Sequence, residues 1–210
     1  MPELSTLLLF AITCLALNAS PGPDMLLVAT RSAAQGKAAG FATYLGIAAG
    51  GYCHAMALAL GLSQLFLAVP GAYDFVRLVG AAYLLYLAWQ AFTSKESILQ
   101  APEENTSRSF RNLFFQGMLT NILNPKIALF FLALFPQFIE PSQGSVVFQI
   151  LLLATILNTT GLMVKSIVIL LASKAGAAIT SSKRTAKIAK YFTGLVFTGL
   201  AARLAFDTSK

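Results

Sequence analysis

The chain has 210 residues, of which 11% are charged and 57% are apolar. Soluble domains carry roughly 25% charged residues, so this chain has too little charge to cover a soluble fold of its length. A transmembrane helix needs about 20 mostly apolar residues, and the hydrophobic runs suffice for six such helices joined by short loops. Length and composition therefore predict an all-α integral membrane protein with no additional soluble domain.

The formal net charge of +7 does not indicate nucleic-acid binding, because the basic residues lie in loops between hydrophobic runs. Cys14 and Cys53 both lie within apolar runs, which argues against a structural disulfide scaffold. The N-terminal apolar run has no preceding Lys or Arg and is longer than the hydrophobic region of a signal peptide. We therefore expect it to be a retained first helix.

Two of the six predicted spans contain an interruption. The first span, at about 4–30, is interrupted at Asn18-Ala19-Ser20-Pro21-Gly22-Pro23-Asp24, and the second and third lie at about 40–69 and 75–92. After a polar linker at about 94–111, the fourth span, at about 113–138, is interrupted at Asn121-Ile122-Leu123-Asn124-Pro125-Lys126. The fifth and sixth spans lie at about 146–173 and 191–206. We expect one membrane domain, 1–210, with repeats at about 1–93 and 112–210.

The distribution of basic residues predicts the orientation of the chain. The loops after the first, third and fifth spans contain Arg31, Lys37, Lys95, Arg108, Arg111, Lys174, Lys183, Arg184, Lys187 and Lys190. The opposite side contains Arg77, Arg203 and Lys210. Because cytoplasmic loops are enriched in Lys and Arg, the first group is predicted to be cytoplasmic and both termini periplasmic.

The two halves of the chain resemble each other. Each begins with a helix interrupted by an Asn…Pro sequence followed by a charge, and the segments 80–92 and 194–206 are identical at four of thirteen positions. Three helices per half is an odd number, so the second half is predicted to be inverted relative to the first. Inverted repeats with paired broken helices are typical of alternating-access transporters. The alternative is that Pro and Gly merely kink two ordinary helices.

Asp24 and Lys126 are the charged residues most expected to act chemically. Asp24 is the only acidic residue well inside a predicted span, and it follows Pro23, where a new half-helix with exposed N–H groups would begin. Lys126 occupies the equivalent place in the second half. Together they suggest a zwitterion site, in which Asp24 faces an ammonium and Lys126 faces a carboxylate. The alternative is a permanent structural ion pair.

Three further polar residues are candidates on the second and fifth spans. Lys165 lies on the same helix as Asn158, in a stripe of polar and small residues, and it could line the path or extend to the membrane surface. His54, the only histidine, could relay a proton or form a structural hydrogen bond between helices.

The Gly36-x-x-x-Gly40 and Gly46-x-x-x-Gly50 spacings predict close helix packing.

Several sequence blocks resemble the LysE/RhtB amino-acid exporter family. They are Asn18 to Asp24 with the following Met-Leu-Leu-Val, Gly36-x-x-x-Gly40-Phe41, Gly80-Ala-Ala-Tyr-Leu-Leu-Tyr-Leu, Gly117 to Lys126 with Ile-Ala-Leu-Phe-Phe, and Pro136-Gln137-Phe138. They occur in the family's order over nearly the whole chain. The pattern departs at Ser20, where many members carry Asn.

The resemblance implies a multi-pass secondary exporter of the bacterial inner membrane, driven by protons, for small amino acids, without cofactor or metal. It makes the two Pro motifs central. The predicted binding and coupling residues are Asn18, Ser20, Pro21, Gly22, Pro23, Asp24, His54, Asn121, Asn124, Pro125, Lys126, Asn158 and Lys165. A homodimer through a glycine-faced helix is a further expectation.

Two other functions remain as alternatives. A membrane thiol–disulfide reductant carrier needs one reactive cysteine in each half, whereas both cysteines lie in the first half. A metal-ion exporter could use Asp24 as a ligand, although Lys126 nearby would repel the cation. An enzyme is not expected, because an aspartyl mechanism needs two carboxylates in one site and a zinc site needs three or four ligands.

Overall fold

The computed structural model describes residues 3–68 and 109–175, together with single helical positions within 82–93 and 191–202. These residues form helices and turns, with no strand among them. The linker and the basic loop before the sixth span lie outside the described residues, as do most of the third and sixth spans and of the paired segments 80–92 and 194–206. The all-helical prediction is confirmed for the described part of the chain.

Residues 3–68 of the first half form three helices, and the predicted interruption of the first span is confirmed. Helix α1 (Leu4–Ala19) is followed by α2 (Pro23–Gln35). Pro23 occupies the first turn of α2, where its missing N–H and fixed φ are compatible with a helix start. Gly36 then adopts a φ of 81°, and α3 (Lys37–Ala68) follows.

The chain turns sharply at Gly36. A Cβ atom on Gly40 would lie 2.1 Å from the Ser32 hydroxyl, although eight residues of straight helix would separate these positions by about 12 Å. Helices α2 and α3 therefore pack against each other, with Val28 of α2 buried beside Tyr44 and Ile47 of α3.

The second half repeats the broken-helix pattern. Helix α4 (Phe110–Ile122) is followed by α5 (Pro125–Leu134), and the pair is bent by 54° when α5 is taken with its 3-10 extension Phe135–Phe138. The predicted interruption of the fourth span is thus confirmed. A second 3-10 turn, Pro141–Gln143, leads to α6 (Val146–Ala175), which coincides with the predicted fifth span.

The described helices include spans that can cross a membrane. Two stretches, Pro23–Gly61 with its turn at Gly36 and Val146–Lys174, each contain an apolar run long enough to cross a membrane. The bent α4–α5 unit adds a third if it is one span. Large apolar side chains on their outer faces are exposed, among them Leu45, Leu60 and Ile167. Lipid is the environment that suits such surfaces. The arrangement as six spans in two inverted repeats stays a prediction.

Glycines bring α3 and α4 into backbone contact. A Cβ atom on Gly46 would lie 1.9 Å from the Phe114 carbonyl oxygen, and one on Gly117 would lie 2.1 Å from the Thr43 carbonyl oxygen. A Cβ atom on Gly50 would lie 2.9 Å from the Asn121 side chain. The packing role predicted for the 46–50 spacing is confirmed, and this close approach places the interruption after α4 beside α3.

An aromatic cluster fixes α1 against α5 and the turn after it. The buried rings of Phe10, Phe130, Phe131, Phe135 and Phe138 form one apolar core. Phe10 lies edge-on to Phe135, with ring centroids 5.3 Å apart, and Phe131 stacks on Phe135 at 4.1 Å. Contacts of this kind stabilise beyond the burial of area alone. They hold the interruption after α1 close to the one after α4.

Candidate functional site

Asp24 lies in the first turn of α2 and is only 6% exposed. Its Oδ2 accepts a hydrogen bond from Asn121 Nδ2 at 2.7 Å, and its Oδ1 accepts one from Asn124 Nδ2 at 3.1 Å. A charge within the bilayer costs about 2.5–3.5 kcal/mol on the most lenient scale. Two amide donors and the positive end of α2 offset that cost. The first interruption is thus bound directly to the second.

The two asparagines have different places at the second interruption. Asn124 caps α5, and its Oδ1 accepts a hydrogen bond from the Lys126 backbone N–H at 3.1 Å. Asn121 is buried in the last turn of α4, and its Oδ1 has no hydrogen-bond partner within the described part of the chain. A buried acceptor without a protein donor is rare in folded proteins, and a water or a ligand can supply the donor.

Lys126 lies in the first turn of α5 but binds the end of α1. Its Nζ donates to the Leu17 carbonyl oxygen at 3.4 Å and to the Ser20 carbonyl oxygen at 3.3 Å. Carbonyls at a helix C-terminus lack intrahelical donors and carry the negative end of the helix dipole. In these contacts the Lys126 ammonium is bound by main-chain oxygens of the other half. A carboxylate partner for Lys126, from Asp24 or from a substrate, stays a prediction.

We expect Lys126→Met to destabilise the folded protein more than it alters ligand preference. The substitution leaves carbonyls of Leu17 and Ser20 without this donor, at a cost of about 1–3 kcal/mol. The measurement is the Tm of purified protein in detergent. Lys174→Met, at an exposed position near the end of α6, is the matched control and is expected to leave Tm nearly unchanged. Equal Tm values for the two variants would contradict this role of Lys126.

Lys165 of α6 is only 5% exposed and points inward. Its Nζ donates to Asn18 Oδ1 at 2.8 Å and lies 5.8 Å from the centre of the Tyr44 ring. Asn18 in turn donates to the Leu157 carbonyl oxygen at 3.2 Å and to Thr160 Oγ1 at 3.3 Å. Of the two orientations open from the sequence, the structure has the one towards the bundle interior and not the one towards the membrane surface.

Asn158 and Tyr44 join α6 to α3. Asn158 Nδ2 donates to the Ala48 carbonyl oxygen at 3.2 Å, and the Asn158 carbonyl oxygen accepts a hydrogen bond from the Tyr44 hydroxyl. Sequence reasoning did not single out Tyr44 or Thr160. Each follows a threonine, Thr43 or Thr159, in a predicted span, and only its partner in space distinguishes it from an ordinary packing residue.

His54 lies beside the second interruption rather than in the centre of the site. Its Nε2 is 3.2 Å from the Asn121 carbonyl oxygen, to which it donates, and its ring stacks on Phe131 with centroids 5.4 Å apart. It thus binds the C-terminal end of α4. This contact matches the structural alternative for His54, a hydrogen bond between helices.

The remaining predicted residues shape the two interruptions. Ser20 caps α1 through its backbone N–H, which donates to the Ala16 carbonyl oxygen at 3.1 Å. Pro21 and Pro23 are exposed, as is Pro125 at the start of α5. Gly22 packs near Lys126, whose Nζ would be 3.9 Å from a Cβ atom at that position.

A small cavity lies between the interruptions and α6, with a volume of about 20 Å³. Such a volume holds about one water molecule, so the surrounding helices must separate before an amino acid can enter. The described residues contain no group of three metal-ligating side chains. The cavity is lined by Asn18, Asp24, Tyr44, Ile47, Gly51, Asn121, Ile127, Leu157, Asn158, Gly161 and Lys165.

Comparisons with known proteins show the family. The LysE type translocator family matches residues 15–208. An uncharacterized membrane protein of Pseudomonas aeruginosa is 31% identical over 196 residues, which cover 90% of this chain and 89% of that protein. Leucine efflux proteins of Salmonella typhimurium and Salmonella choleraesuis are 29% identical over 185 residues, which cover 88% of this chain and 87% of each relative. No solved structure matches significantly.

The family match extends over most of the chain and includes both interruptions. It confirms the resemblance first read from the short motifs, and it agrees with the apolar spans of the described helices. The protein belongs to the LysE type translocator family and is an integral membrane transporter, not an enzyme.

Proposed function

We propose that the protein exports small amino acids across the inner membrane in exchange for protons, by alternating access around the two interruptions. The observation that carries this proposal is the buried junction in which Asp24 of one half is bound by Asn121 and Asn124 of the other. Broken helices that meet in the interior of a membrane protein are typical of substrate sites in secondary transporters. Both termini would be periplasmic, as the distribution of basic residues predicts.

The ammonium end of an amino acid would bind at Asp24 and Asn121. Asp24 supplies a carboxylate, and Asn121 Oδ1 is a buried acceptor that lacks a donor among the described residues. Both residues line the cavity. An ammonium has three N–H donors, so it can satisfy both acceptors at once. This match explains why a polar atom stays unsatisfied in an otherwise bonded site.

Protons would be exchanged at the same carboxylate. Asp24 is a buried acidic residue that lines the cavity, and a proton on it would remove the charge that attracts a substrate ammonium. Proton binding and substrate binding at Asp24 would therefore exclude each other. Such competition at one group couples export of the amino acid to uptake of the proton.

Opening of the site would break contacts between the halves. The cavity volume of about 20 Å³ is far below the several hundred Å³ of ordinary ligand pockets. The bonds of Asp24 to Asn121 and Asn124 and of Lys126 to the end of α1 join the two halves. Relative motion of the halves would exchange these bonds for bonds to substrate.

Leucine is the first cargo to test. Relatives with 29% identity are named leucine efflux proteins. The apolar side of the cavity is formed by Ile47, Ile127 and Leu157, side chains that suit an aliphatic substrate.

The test is counterflow of radiolabelled amino acids in proteoliposomes that contain the purified protein, with and without an imposed pH gradient. We expect leucine or related small neutral amino acids to accumulate, and the gradient to increase the accumulation. The control is Leu60→Ala, a substitution on the exposed outer face of α3. If the folded protein accumulated none of the amino acids tested, amino-acid export would be contradicted. If the accumulation were the same with and without the pH gradient, proton exchange would be contradicted.

A further inference from the structure

The two lysines of the site are held in different ways. Lys126 donates to the Leu17 and Ser20 carbonyl oxygens of α1, which are part of the fold. Lys165 donates to one neutral side-chain oxygen, Asn18 Oδ1, and lies over the Tyr44 ring. Lys165 lines the cavity together with Asp24, whereas Lys126 is not among its lining residues.

We propose that Lys165, which is held against Asn18 and lines the same cavity as Asp24, is the residue that binds the substrate carboxylate, and that Lys126 is a positioning residue for α1. The assignment rests on the proposed function and divides the roles of the two cations within it.

The hydrogen bonding of Lys165 supports this assignment. An ammonium has three donors, and within the described part of the chain its side-chain partner is a single amide oxygen at 2.8 Å. No carboxylate among the described residues forms an ion pair with it. Buried charges in membrane proteins are normally paired, so an anionic ligand would complete the environment of Lys165.

The neighbouring residues favour a zwitterion. Asp24 and Asn121, which offer acceptor oxygens, line the same cavity as Lys165, which offers a donor. Asp24 is hydrogen-bonded by amides and Lys165 by Asn18, so the two opposite charges act on each other without a hydrogen bond between them. A small α-amino acid presents both complementary groups and can enter between them.

Asn18 makes the carboxylate site dependent on the first interruption. It lies in the last turn of α1 and is bound by Lys165 Nζ, Leu157 and Thr160 of α6. A carboxylate on Lys165 would compete with Asn18 Oδ1 for the ammonium. Substrate binding would therefore weaken a bond between α1 and α6, which links recognition to movement of the broken helix.

The alternative is that Lys165 only ties α6 to α1. A glutamine could make that tie without a charge, because its amide N–H can also donate to Asn18 Oδ1. Lys165→Gln therefore separates the two roles, since it keeps a donor and removes the charge. Lys165→Met removes both, and Lys165→Arg keeps the charge.

The experiment measures binding of L-leucine and of L-leucinamide, which lacks the carboxylate, to the purified full-length protein in nanodiscs. We expect Lys165→Gln and Lys165→Met to weaken leucine binding by about 10- to 100-fold, the usual effect of losing a charged hydrogen bond. Leucinamide binding should change much less. The ratio of the leucinamide Kd to the leucine Kd, which measures the preference for leucine, should therefore fall towards one. Lys165→Arg should retain most of the preference.

The comparison variant is Lys126→Met, for which both ligands should lose affinity in parallel as the site loosens. A preference for leucine that is unchanged in Lys165→Gln would overturn the assignment, even if Lys165→Met fails to fold. If Lys126→Met lost the preference for leucine over leucinamide and Lys165→Gln kept it, Lys126 would be the residue that binds the substrate carboxylate. A wild-type protein that neither binds nor exports leucine would overturn the assignment and leucine export together.

Discussion

Asp24→Asn is expected to abolish export while the protein stays folded. The substitution keeps the size of the side chain and one acceptor for the Asn121 and Asn124 amides, and it removes a buried charge whose burial is costly. It also removes the negative charge that the proposed site offers to an ammonium. We expect leucine counterflow to fall by about 100-fold or more, the effect of losing one charged contact.

The matched control for this prediction is Glu140→Gln. Glu140 is an exposed acid in the turn before α6, so the same change of acid to amide there should leave transport unaltered. Size-exclusion profiles and Tm values establish that each variant is folded. Normal counterflow by folded Asp24→Asn would remove the carboxylate from the mechanism and would leave Asp24 as a structural acceptor at the junction.

Gly46→Ala is expected to have the largest effect on stability. Its Cβ atom would lie 1.9 Å from the Phe114 carbonyl oxygen, a distance that no side-chain adjustment can relieve because the contacted atom belongs to the backbone of α4. Helices α3 and α4 must then separate, which exposes the junction of Asn121 with Asp24. Overpacking of this kind costs about 1–3 kcal/mol and occasionally more, so we expect a marked fall in Tm.

Gly61→Ala is the control in the same helix. A Cβ atom there meets none of the described residues within 4 Å, and alanine is the better helix former by up to about 1 kcal/mol. This variant should have an unchanged or higher Tm. If Gly46→Ala and Gly61→Ala had equal Tm values, the close contact of α3 and α4 would not be required for the fold.

The local structure of the chain was predictable from its sequence. Composition predicted membrane helices, because a chain with 11% charged residues cannot cover a soluble surface. Both interruptions were predictable because proline lacks the N–H that a helix interior needs, and α2 and α5 begin at Pro23 and Pro125. Glycine spacing predicted a close helix contact, since only glycine lets two backbones touch.

The roles of the charged side chains were decided by the tertiary structure. Lys126 binds carbonyls that lie 106 and 109 residues earlier in the chain, and Lys165 binds Asn18, which lies 147 residues earlier. Sequence spacing places a charge at the start of a half-helix, but it carries no information about which distant helix end faces that charge. Sequence spacing therefore did not predict the contacts of Lys126 with the Leu17 and Ser20 carbonyl oxygens at the end of α1.

The sequence by itself thus determined that the chain folds in lipid, that it forms helices, and where the first and fourth spans are interrupted. These follow from hydropathy and from the backbone chemistry of proline and glycine, which act over a few residues. What only the tertiary structure decided is that Asp24, Asn121, Asn18 and Lys165 share one cavity. That arrangement depends on how whole helices pack, because Asp24 and Asn121, 97 positions apart, and Asn18 and Lys165, 147 positions apart, meet only after the α1–α5 and α3–α4 contacts have formed.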